Sequence, residues 1–132
     1  MARRIIANVC TVVIALGIMY IGASFLIAPE TSASTFGFTA WPQGAAADFL
    51  TVKGVRDVVS GIVPLTLLAL GQRRALGWVL LCEALIPVGD GTLVLLHGGS
   101  AAAAIGVHYA TAAFVIVTGV LQLQVARRAE RR

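Results

Sequence analysis

Residues 51–61 read "TVKGVRDVVSG", and on either side the chain runs on Leu, Val, Ile and Ala. Lys53, Arg56 and Asp57 fall within five positions of one another, in a segment otherwise apolar enough for lipid. Read as a membrane span, the segment makes a protein of four crossing helices, and its charges then need an inward face. The rest of the chain decides how that reading stands.

Of 132 residues, 58% are apolar and 12% charged, and the mean hydropathy is +0.90. A soluble domain carries about a quarter charged residues, so this chain cannot cover itself with a wettable surface. A bilayer crossing needs about 20 mostly apolar residues. Four stretches qualify, at about 5–28, 48–70, 75–96 and 101–125. Backbone groups in lipid must bond within their own segment, which makes each span a helix. The expected fold is all-α, a four-transmembrane-helix bundle forming a single integral membrane domain over residues 1–132. The apolar run after "MARR" spans about 24 residues, beyond the 7–15 of a signal-peptide core. The first span is therefore expected to stay with the protein.

Orientation follows from the arginines. Arg3 and Arg4 precede span one, Arg73 and Arg74 join spans two and three, and Arg127, Arg128, Arg131 and Arg132 close the chain. The connections 29–47 and 97–100 hold no Lys or Arg. The positive-inside rule then puts both termini in the cytoplasm, in a multi-pass protein of the cell's inner (plasma) membrane. The net charge of +4 is a topology signal. Without a basic face interleaved with aromatics, no nucleic-acid partner is expected. Cys10 and Cys82 belong to no C-x-x-C pair and read as small, buried, apolar side chains.

Positions convert into depths at 1.5 Å per residue. Lys53, Arg56 and Asp57 lie about 9, 5 and 3 Å outward of the middle of their span. Asp90 and His108 each lie about 7 Å outward, and Glu83 about 4 Å inward. Lys53, Arg56, Asp57, Ser60 and Pro64 share an arc of about 100°. Glu83, Pro87 and Asp90 share one of about 60°. Tyr20 and Ser24 reach similar depths on span one. A charge near a helix centre in lipid costs roughly 2.5–3.5 kcal/mol, so these groups must face inward, pair, or meet water. Lys53 and Asp57 can pair at i,i+4, and Arg56 can reach Asp90 with a bidentate fork. Glu83 is left without a partner, and His108 can change charge near neutral pH. A polar chamber in the outer half of the membrane is expected; salt bridges acting only as glue are the competing account.

Pro64 and Pro87 are expected to free the carbonyls of Ser60 and Glu83 beside that chamber. In the connection 29–47, Phe36, Phe38 and Trp41 read as headgroup anchors, with a lid over the chamber as the alternative. Trp78 reads as part of the inner aromatic belt, and His97 as a solvated loop residue.

Taken together, "KGVRDVVSG" (53–61), "IPVGDG" (86–91) and "GVHYATAAF" (106–114) resemble a family of small bacterial four-span membrane proteins. That family is known as a domain of unknown function and is similar to DoxX-like proteins. The resemblance rests on Lys53, Gly54, Arg56 and Asp57, on the Gly89–Asp90 pair and on His108. It implies the four-helix fold and no particular activity.

The function expected is binding of a lipophilic small molecule, with acid–base transformation of an isomerase, cyclase or hydrolase type. Asp57, Asp90, His108 and Glu83 are the candidate catalytic groups, and Lys53, Arg56, Tyr20, Ser24 and Ser60 the candidate substrate-binding ones. No zinc set, P-loop, Gly-x-Ser-x-Gly elbow or haem pair occurs in the sequence, so neither a metal nor a cofactor is expected. One alternative is a small proton-coupled transporter, with Glu83 titrating and an oligomer as the working unit. The other is a non-enzymatic accessory subunit with structural charges. In it, Ala102, Gly106 and Ala110 would allow close helix contact with a partner or with a second copy in a homodimer. The bilayer itself is the remaining expected partner.

Overall fold

The computed structural model describes residues 2–130, and every regular element among them is helical. Arg131 and Arg132, counted above among the inner arginines, lie outside the described residues. Helix α1 is Ala2–Ile27, α2 is Pro29–Ser34, and a 3-10 turn at Gly44–Ala47 leads into α3, Asp48–Ala69. Then come α4, Arg73–Glu83, and α5, Leu85–Leu96. The last stretch begins as α6, Ala101–Ala103, passes through a π-helical turn at Ala104–Tyr109 and continues as α7, Ala110–Glu130.

The interruption between α4 and α5 falls at Ala84, three residues before Pro87. Proline has no N–H, so the ladder loses a bond to the preceding turn, and the next bond, Val88 N–H to the Ala84 carbonyl, is stretched to 3.3 Å. The helix breaks where Pro87 predicts it, but neither Glu83 nor Pro87 lines the cavity described below. Pro64 behaves differently: α3 runs unbroken through it, with Pro64 buried. The ladder bonds on either side hold that helix together, so no break opens beside Ser60.

Three helical stretches are long and apolar enough to cross a membrane: Ala2–Ile27, Arg73–Leu96 and Ala101–Glu130. α3 has the length, 22 residues or about 33 Å, but Lys53, Arg56 and Asp57 set its composition apart. Three candidate crossings are thus established by length and composition.

α1 packs along α3 and α4 along α7, while α1 also meets α7 and α3 meets α4. The α1–α3 contact is made backbone to backbone. A Cβ on Gly22 would lie 2.7 Å from the Gly54 carbonyl oxygen, and one on Gly54 would lie 2.8 Å from that of Gly22. Only glycine fits on either side, as at close helix crossings in membranes. Leu76, Leu80, Ala84 and Val115 form a buried cluster, with Ile14, Leu67 and Leu68 packed around it. Ile5, Val9, Val13 and Leu16 of α1 are instead more than half exposed, a contiguous apolar face of the kind that lipid covers.

A polar clasp joins three helices towards the arginine-bearing end. Gln122 is fully buried. Its Nε2 donates to the Ala7 carbonyl at 3.1 Å and to Thr11 Oγ1 at 2.9 Å. Its Oε1 accepts from Arg73 Nη1 at 3.0 Å, and the same nitrogen reaches Asn8 Oδ1 at 2.8 Å. Each bond contributes about 1 kcal/mol net, and an unmade one at a buried group costs more, about 1–3 kcal/mol. Among the described residues no buried side-chain polar atom lacks a partner. Cys10 is half-buried, but Cys82 is exposed on α4 rather than buried as expected; both are free thiols.

Candidate functional site

The charged run of α3 resolves into a pair and a remainder. Lys53 and Asp57, one helical turn apart, form an ion pair, and Asp57 is buried. The Lys53 ammonium also sits 4.5 Å from the centroid of the Phe25 ring and 5.2 Å from that of Phe36. A carboxylate and two aromatic faces thus stabilise one cation. Arg56 does not make the expected bridge to Asp90 or Asp57. It is exposed and takes part in no ion pair among the described residues. Local geometry explains the difference: the i,i+4 partner is already within reach of Asp57, whereas Asp90 belongs to another helix.

The connection before α3 folds over these groups. Phe36 stacks on Phe38, with centroids 5.6 Å apart and planes within 10°. The Phe36 carbonyl accepts a hydrogen bond from His108 Nε2 at 2.9 Å, and the two rings approach to 4.6 Å. The Gly37 carbonyl accepts from the Ser100 N–H at 2.8 Å. Gly37 has a φ of +114°, a backbone setting essentially reserved for glycine. A third tie, at 3.1 Å, runs from the Gly44 N–H to Glu30 Oε1. The aromatics expected as headgroup anchors are turned towards the protein instead.

Beneath this roof is a cavity of about 680 Å³, within the 300–1,000 Å³ usual for small-molecule sites. Phe25, Phe36, Phe38, Trp41 and Phe49 supply its aromatic walls. Lys53, Arg56, Asp57, Ser60 and Asp90 supply the polar ones. Asp90 is half-buried and joins no ion pair among the described residues. Its helix, α5, packs against the π-helical turn that carries His108. Such turns recur at functional sites.

The remaining candidates are placed elsewhere. His108 is buried behind Phe36, outside the cavity lining. Since a carbonyl only accepts, its Nε2 carries the hydrogen, and in the neutral ring Nδ1 is bare. Glu83 is half-buried and does not line the cavity. Tyr20 is 77% exposed on the outer face of α1. The Ser24 hydroxyl is spent on the Tyr20 carbonyl at 2.8 Å, and neither residue lines the cavity. The α1 wall is made by Phe25, which follows Ser24 directly and points about 100° further round the helix. The sequence alone does not single out Phe25 and Phe49; their aromatic character in the outer part of the first two spans is the signal that marks them. His97 is exposed, with Nδ1 donating to the Leu93 carbonyl at 2.8 Å. Among the described residues no group of three or more His, Cys, Asp or Glu could hold a metal ion.

An all-α chain with three helices fit to cross a bilayer is a protein of membrane-spanning type. The chain belongs to the family described as a Domain of unknown function (DUF4267), which it matches over residues 15–122. The DoxX-like likeness and the bacterial source implied by the resemblance are no part of that match. No curated protein and no solved structure matches the chain.

Proposed function

We propose that the protein is a four-span membrane protein whose cavity binds a lipophilic small molecule by a polar end. In this reading α3 is the fourth crossing. It is long enough, it packs along a candidate span, and its Lys53–Asp57 pair cancels charge inside the helix layer. The arginine asymmetry supports an inner (plasma) membrane protein with both termini on the cytoplasmic side, which would leave the cavity in the outer half of the bilayer.

The observation that carries the proposal is the contrast within the cavity wall. Five aromatic rings line it, and two opposite charges, Arg56 and Asp90, face it without an ion-pair partner. Aromatic surface takes an apolar body, and the few polar groups fix its orientation. Lys53 is committed to Asp57 and the two rings, so recognition of the polar end falls to Arg56 and Asp90. If the site transforms its ligand, Asp90 is the carboxylate placed to move a proton there, and His108 serves the roof rather than the reaction.

The test is extraction of the protein purified from its native membrane, followed by mass spectrometry. A small molecule should be enriched with the wild type and lost from the Arg56→Gln/Asp90→Asn double variant. Equal profiles for both proteins would refute the binding reading. No enriched molecule, together with a stability loss on breaking the Lys53–Asp57 pair, would favour the accessory subunit.

A further inference from the structure

The two ends of the chain's described part meet in a second, basic site. Arg3 of α1 and Arg127 and Arg128 of α7, with Gln124, line a groove of about 320 Å³. Arg3 Nη1 is 3.5 Å from Gln124 Oε1, which draws the two helix ends together. The nearby carboxylate, Glu130, lies 3.8 Å from Arg74 instead. Arg3, Arg127 and Arg128 therefore have no ion pair among the described residues. Both helices are candidate spans, so the groove falls where their apolar stretches end. Two and three residues further along α1 from Arg3, Ile5 and Ile6 are more than half exposed.

We infer that this groove binds the headgroup of an anionic phospholipid. Guanidinium groups match phosphate oxygens in paired hydrogen bonds, and the exposed isoleucines that follow Arg3 on α1 offer apolar surface for acyl chains. A free phosphate ion would use the arginines and leave that apolar face unused; the lipid uses both. Basic pockets between helices at the inner leaflet are suited to anionic headgroups. The inference is independent of the outer cavity.

The experiment uses the full chain in nanodiscs of equal parts phosphatidylglycerol and phosphatidylcholine, with native mass spectrometry of the lipids retained on release. Phosphatidylglycerol should be enriched about five-fold or more over the bulk ratio, and Arg3→Gln/Arg127→Gln/Arg128→Gln should return it to that ratio. Because the triple change also weakens the topology signal, Arg127→Gln alone is measured beside it and should give an intermediate enrichment. Wild-type retention at the bulk ratio would overturn the inference, as would equal enrichment in all three proteins. Thermal stabilisation by inorganic phosphate over chloride at matched ionic strength, without lipid enrichment, would assign the groove to a free anion and overturn it too.

Discussion

His108 Nε2 donates to the carbonyl oxygen of Phe36 at 2.9 Å, across 72 residues of sequence. A histidine in a π-helical turn thereby holds the backbone of the roof over the cavity, beside the Gly37–Ser100 tie. Replacing His108 with Ala removes one such bond, about 1 kcal/mol or about five-fold in an opening equilibrium. Amide hydrogen exchange over residues 35–42 should rise by about that factor, with α1 and α7 unchanged. Unchanged exchange in the roof would mean that the histidine does not hold it.

The backbone contact between Gly22 and Gly54 makes a paired prediction. Gly22→Ala or Gly54→Ala pushes α1 and α3 apart and should cost about 1–3 kcal/mol, read as a lower unfolding midpoint in detergent. Gly17 lies on the same helix with nothing within 4 Å of an added Cβ. Gly17→Ala should be neutral or should stabilise by up to about 1 kcal/mol, the helix-propensity difference. Equal effects at Gly17 and Gly22 would count against the close crossing.

The Lys53–Asp57 pair should show coupling. Asp57→Asn leaves the ammonium with two rings and no carboxylate, and breaking a pair of this kind costs about 3 kcal/mol. Lys53→Met/Asp57→Asn removes both charges and should recover at least half of that loss. Simple additivity of the single changes would show that the two side chains do not depend on each other.

The four-span arrangement is tested by reporter fusions. Fusions after Arg74 and at the C-terminus should read cytoplasmic, and one at Gln43 external. A cytoplasmic signal at Gln43 would remove α3 as a crossing.

Much of the helical architecture is legible in the sequence because lipid imposes it. Apolar runs of fixed length must be helices, and Pro87 marks its break. The Lys53–Asp57 pair is also readable, since it depends only on spacing within one helix. Contacts between helices are not. Arg56 is assigned to Asp90 by depth and side-chain reach, but rotation about the helix axis decides the partner, and depth says nothing of rotation. The same limit explains Tyr20 and Ser24, which have the right height on the wrong face, and Phe25, which has the right one. The clasp of Asn8, Arg73 and Gln122 escapes notice for another reason. Single polar residues near helix ends look like ordinary boundary residues until folding brings three of them together. Phe36, Phe38 and Trp41 sit in a connection whose path is set by Gly37 and by its ties to Ser100 and His108, all tertiary features.

The cavity's role is tested most directly by a density map of the protein purified from its native membrane, without added ligand. The account predicts density for a single small molecule under Phe36 and Trp41, with its polar end between Arg56 and Asp90 and its body against Phe25 and Phe49. A cavity filled only with disordered solvent would contradict it, as would Arg56 turned outward with Phe36 and Trp41 packed into the space.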